Sequence, residues 1–182
     1  MTLHDFIDKE LREPLDKNRV LAMSTRPGLG YLYYDDLKKR PTLKQLLPSK
    51  NSGKIILFIK HDGSQIGHFC LLFRHERSGI HFFDPYGLGL RKVLEVTNST
   101  TYLEELLHKI QSKHHNVHIN RHAFQQMKDG NQAVQTCGRH CITRWNACHM
   151  TPKEYEGLMH HRSLSPDEIV TIMTIERDLK DA

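Results

Sequence analysis

Three short runs of β-branched and aromatic residues between Lys54 and Asp84 constrain this chain more than any other feature. Lys54-Ile55-Ile56-Leu57-Phe58-Ile59, His68-Phe69-Cys70-Leu71-Leu72-Phe73-Arg74 and Ile80-His81-Phe82-Phe83-Asp84 have the length and residue types of strands. Turn formers separate them, His61-Asp62-Gly63-Ser64 in the first gap and Ser78-Gly79 in the second. Gaps this short join antiparallel neighbours, so the middle of the chain is a sheet that needs helices packed over it.

The flanking segments supply those helices. Leu3, Phe6, Ile7 and Leu11 recur at helical spacing before Pro14. Arg26-Pro27-Gly28-Leu29-Gly30 reads as a turn, and residues 35–47 as a short helix or two around Pro41. Residues 101–113 form an amphipathic helix with Leu103, Leu106, Leu107 and Ile110 on one face, and residues 117–122 alternate like a further strand. Cys137 opens a helix running to about Met150. Thr151-Pro152-Lys153-Glu154 and Ser165-Pro166-Asp167-Glu168 are start signals for two more, the second burying Ile169, Val170, Ile172, Met173 and Ile175. The expected fold class is α+β, with a central, mostly antiparallel sheet packed by helices. One domain covers 1–182: a helical and irregular segment over 1–50, a core over 54–150 and C-terminal helices over 151–182.

Composition narrows the function classes. The 182 residues are 38% apolar and 26% charged, in the globular range. No apolar run reaches the roughly 18 residues that a membrane span requires. Acidic residues Asp5, Asp8 and Glu10 interrupt the start, unlike a secretory signal, so a reducing cytoplasmic or nuclear setting is expected. In that setting Cys70, Cys137, Cys141 and Cys148 are expected as free thiols. The net charge of +5 fits an ordinarily solvated surface, with contact to nucleic acid, such as non-specific DNA, or to an acidic partner as the sharper reading, while no aromatic interleaving or base-reading motif points to sequence-specific binding.

Cys137 is the residue with chemistry to explain. It follows a polar loop, starts a helix where free N–H groups and the helix dipole favour a thiolate, and precedes Gly138, read here as room for a substrate backbone. The same N–H groups can form part of an oxyanion hole. His68 opens one strand and Asp84 closes its antiparallel neighbour, which sets base and orienter side by side. Singly, each residue has an ordinary structural explanation: a helix-start cysteine, a strand-end histidine, and a turn-forming aspartate before proline. Their order in one chain gives the chemical reading its weight. A zinc module built on Cys137, His140, Cys141, Cys148 and His149 is the competing reading. Its spacing is poor, because Cys148 and His149 lie about two helical turns beyond Cys141.

Gly67-His68-Phe69, Phe82-Phe83-Asp84-Pro85-Tyr86-Gly87 and Thr136-Cys137-Gly138-Arg139-His140-Cys141 resemble the three signature blocks of the adenovirus-type cysteine endopeptidases, whose clan includes the SUMO-deconjugating proteases. The resemblance spans roughly Lys54 to Trp145. It implies a papain-like, adenain-like fold and a hydrolase with catalytic Cys137, His68 and Asp84. Phe69 stands where the family commonly has tryptophan. The family also uses an oxyanion glutamine, usually where this chain has Gly130 and Asn131. Gln125, Gln126 and Gln132 are the candidates, and Gln126 is preferred because residues 122–127 resemble the family's strand end.

The resemblance further implies no metal or cofactor, a monomer, and viral capsid or core precursors as protein substrates. The implied setting is the virion and the host cytoplasm or nucleus, with no membrane. A deconjugase for ubiquitin-like modifiers and a catalytically silent scaffold are the alternatives within this fold.

Overall fold

A computed structural model describes residues 3–13, 15–59, 67–75, 77–113, 116–126 and 135–178. Its sheet has five strands in sequential order: β1 (Leu29–Tyr33), β2 (Gly53–Ile59), β3 (Gly67–His75), β4 (Gly79–Phe83) and β5 (Val117–Ile119). β2, β3 and β4 form the expected antiparallel meander. The two edges differ from expectation, because β1 runs parallel to β2 and β5 parallel to β4. The sheet is therefore mixed, not mostly antiparallel. The reason lies in the connections. β1 returns to β2 through a 3-10 helix (Tyr34–Lys39) and α3 (Leu43–Leu46), and β4 reaches β5 through α4 (Leu90–Val96) and α5 (Tyr102–Gln111). Connections of that length reverse direction, as parallel neighbours require.

Both faces of the sheet are covered, which is why β3 is buried almost continuously instead of on alternate residues. On one face Phe69, Leu71 and Phe73 pack with Val20 of α2 (Lys17–Ala22), Cys141, Ile142 and Trp145 of α6 (Cys137–Asn146), Tyr155 of α7 (Pro152–Leu158) and Val170 of α8 (Pro166–Asp178). On the other, Cys70 and Leu72 pack with Ile56, Phe58, Phe82 and the apolar sides of α4 and α5. α1 (Leu3–Arg12) and α8 lie on the first side, against α6.

α6 stops at Asn146, a turn short of Met150, and every residue from Cys137 to Trp145 is buried. A helix enclosed this way must satisfy its polar side chains internally. Arg144 does so on the carbonyls of Ala147 and Met150, at 2.7 and 3.1 Å, with its guanidinium between the Phe73 and Tyr155 rings. The Thr151 and Ser165 caps form as read. α8 buries Val170 and Ile175 as read, but leaves Ile172 and Met173 exposed and buries Asp167, Thr171 and Thr174. Among the described residues no helix is long and apolar enough to cross a membrane.

Candidate active site

Strand register explains how His68 and Asp84 meet. The β3–β4 ladder pairs Leu71 with Phe83, so Asp84, one step further, falls opposite Cys70. His68 is two residues before Cys70 and shares its face, which makes Asp84 its diagonal neighbour. The imidazole Nε2 lies 2.7 Å from Asp84 Oδ1. The His68 side chain keeps 14% exposure, whereas the Asp84 side chain has none.

Asp84 is also the turn former that its place before proline suggests. Its Oδ1 accepts from Tyr86 N at 3.0 Å and its Oδ2 from Leu88 N at 2.8 Å. Asn120 grips the same residue's backbone, accepting from Asp84 N and donating to Asp84 O, both at 2.7 Å. Gly87, at φ 65°, completes the turn; a Cβ there would lie 2.6 Å from the His122 backbone. The turn thus fixes both carboxylate oxygens of the residue that His68 bonds.

Tyr86 stacks on the His68 ring, with centroids 4.9 Å apart and planes 29° apart. Neither it nor Asn120 was singled out from the sequence. Asn120 had one available signal, a turn-type amide at the end of a strand beside the Asp84 strand.

The electrostatics follow from this packing. Burial alone would push the His68 pKa down. The neighbouring Cys70 and interactions with Asp84 and Cys137 outweigh it, leaving the imidazole well above its ordinary value. Burial pushes Cys70 up to about 12, opposed by the neighbouring His68. With Nε2 on Asp84, Nδ1 is left buried and without a hydrogen-bond partner, on a ring that Cys137 adjoins.

Cys137 is the first residue of α6 and is 7% exposed. Gly138 beside it does not open space for a substrate. A Cβ there would meet Val20 Cγ2 at 3.0 Å and Phe69 Cδ2 at 3.4 Å, so the glycine lets α6 approach the core. Cys141 is fully buried and donates to Phe69 O at 3.4 Å, the structural role expected of it.

The glutamines divide. Gln126 is exposed, and its backbone N–H donates to Asp167 Oδ2 at 3.0 Å. Gln125 is buried, with its own N–H and that of Phe124 on the Pro85 carbonyl at 3.0 and 2.9 Å. Gln132 lies outside the described residues.

His68, Cys70 and Asp84 also offer three metal-type donor atoms within 4.8 Å of one another. They differ from the Cys137–His149 set suggested by spacing, and two of them already bond each other. Cavities of about 470 and 420 Å³ open beside β5, and neither is lined by His68, Asp84 or Cys137.

No family model matches the chain. A protein of Sputnik virophage described as "Uncharacterized protein V9" is 28% identical over 155 residues, covering 78% of this chain and 83% of that protein.

Proposed function

We propose that this chain is a cysteine endopeptidase of the adenovirus type, with a papain-like fold. The observation that carries the reading is the His68–Asp84 pair at 2.7 Å, its free imidazole nitrogen on the ring that adjoins a cysteine at a helix start. The Cys137 proton rests on His68, whose raised pKa favours the imidazolium, and the thiolate beside it attacks the scissile carbonyl carbon. The Cys137 N–H and a glutamine amide hold the developing oxyanion. The imidazolium then protonates the leaving amine as the acyl–sulfur bond remains, and water activated by His68 releases the acid and restores the thiol. Asp84 keeps the imidazole oriented and stabilises its charged form.

Of the glutamines, Gln125 suits the oxyanion role better than Gln126. A donor must be held rigidly and away from water to act, and Gln125 is the buried one.

The similarity to a virophage protein agrees with a viral setting, in the virion and the infected cell, with capsid or core precursors as substrates. The enzyme works as a monomer and contacts DNA without sequence preference.

Cleavage of viral structural precursors by the purified chain tests the whole reading. Cys137→Ala should abolish it with the fold intact, and undiminished cleavage by that variant overturns the assignment. Gln125→Ala should lower kcat by about 10²-fold or more, and Gln126→Ala should lower it far less. The reverse ranking would return the role to Gln126.

A further inference from the structure

The buried face of α8 is polar where a helix packed on a core is normally apolar. Burial recurs at Asp167, Val170, Thr171, Thr174 and Ile175, one helical stripe, and three of those five are polar. Capping does not explain Asp167. Ser165 and Glu168 already serve the helix start, with Glu168 N donating to Ser165 Oγ at 3.3 Å and Ser165 N to Glu168 Oε2 at 2.7 Å. The Asp167 carboxylate instead turns inward and is 2% exposed.

A carboxylate so enclosed needs several donors, and all of those it has come from two other segments. Thr136 Oγ1 donates to its Oδ1, as does His140 Nε2 at 3.0 Å; Gln126 N donates to its Oδ2 at 3.0 Å. Among the described residues His140 Nδ1 is buried without a hydrogen-bond partner, so the imidazole's hydrogen bonding there is to Asp167. Thr136 immediately precedes Cys137, His140 lies one turn further along α6, and Gln126 follows Gln125. Seven residues after Asp167, Thr174 Oγ1 accepts from Arg139 Nη1 at 2.6 Å, so α8 grips the first turn of α6 twice.

We infer that Asp167 is a positioning residue that fixes the start of α6, and with it Cys137, relative to the glutamine segment. It does not touch the reacting atoms. Its catalytic consequence rests on the peptidase reading above, while its mechanical role does not. The lever is geometric: the Gln126 and Thr136 segments bond the two oxygens of one rigid group from a distant helix, so their separation is set by the width of a carboxylate. Small displacements of a nucleophile from its oxyanion donors have large effects on rate.

The test uses the full chain with Asp167→Asn, Thr136→Val, the double variant, and Val170→Ala, which thins the packing of the same helix without altering the carboxylate. Iodoacetamide alkylation of Cys137, followed by peptide mapping across neutral pH, reads the nucleophile alone. For a cleaved peptide, kcat and KM are read separately. Asp167→Asn and Thr136→Val should each slow alkylation and lower kcat by about 10-fold or more with KM little changed, and the double variant should be no worse than the slower single. Val170→Ala should lower Tm and leave alkylation and kcat at wild-type values. Additive losses in the double variant, or a Val170→Ala effect on alkylation matching that of Asp167→Asn, would overturn the inference. Should Asp167→Asn fail to fold, the contrast between Thr136→Val and Val170→Ala decides. A wild-type chain that cleaves nothing removes the peptidase reading, yet the alkylation series still decides the role of Asp167.

Discussion

His68 carries the strongest conflict in the molecule. A buried imidazole ordinarily loses its proton, yet here neighbours hold it on. Removing the Asp84 carboxylate takes away one of the groups that oppose burial. In Asp84→Asn the His68 pKa is therefore expected to fall below its wild-type position. Imidazole NMR titration of both proteins would measure it, and an unchanged titration would show that Asp84 is not the controlling charge. The sign for stability follows from the raised native value. The His68 contribution is fully present below about pH 6.5 and is lost as pH rises through the native pKa. Unfolding midpoints in denaturant should accordingly decline as pH rises above about 6.5 towards the native pKa in the wild type and stay flatter in Asp84→Asn.

Gly138 marks the limit of what α6 tolerates. With Val20 at 3.0 Å and Phe69 at 3.4 Å from an added Cβ, Gly138→Ala should cost about 1–3 kcal/mol by overpacking, measured by chemical denaturation. Val20→Ala should recover part of that loss when combined with Gly138→Ala, because the first clash is with its side chain. If the glycine served substrate access instead, Gly138→Ala would change KM and leave stability alone.

The helices and strands also show what a sequence makes legible. The β3–β4 hairpin was readable because both partners lie within one short stretch, and its register then delivers His68 beside Asp84. The two proline-led helix starts were readable because capping chemistry is local. The parallel edge strands were not. Pairing of Leu29–Tyr33 with β2 depends on partners a crossover away, and the Pro27-Gly28 and Gly30 signals mask it as a turn. Asp167 was legible only as an acidic residue in a first turn, since nothing local reveals that its carboxylate faces Thr136 and His140. The choice between Gln125 and Gln126 is of the same kind: adjacent residues, separated by which one the fold encloses.

For the molecule as a whole, the net charge of +5 is a long-range property that no single contact expresses. If DNA contact is part of its working environment, duplexes of unrelated sequence should bind with similar affinity. That affinity should fall steeply between about 50 and 200 mM salt as counterions are released. Fluorescence anisotropy on two unrelated duplexes measures both features. Absence of binding at low salt, or strong preference for one duplex, would remove non-specific DNA contact from the description.

The two contacts that shape the site differ in reach along the chain. His68 and Asp84 are 16 residues apart, whereas Thr136 waits for Asp167, 31 residues downstream. On a ribosome, His68 and Asp84 can therefore meet while Cys137 is still unmade. Cys137 in turn emerges well before the side chain that anchors its helix. A nascent chain thus holds a paired His68 and Asp84 and an unbraced Cys137 until α8 has cleared the exit tunnel.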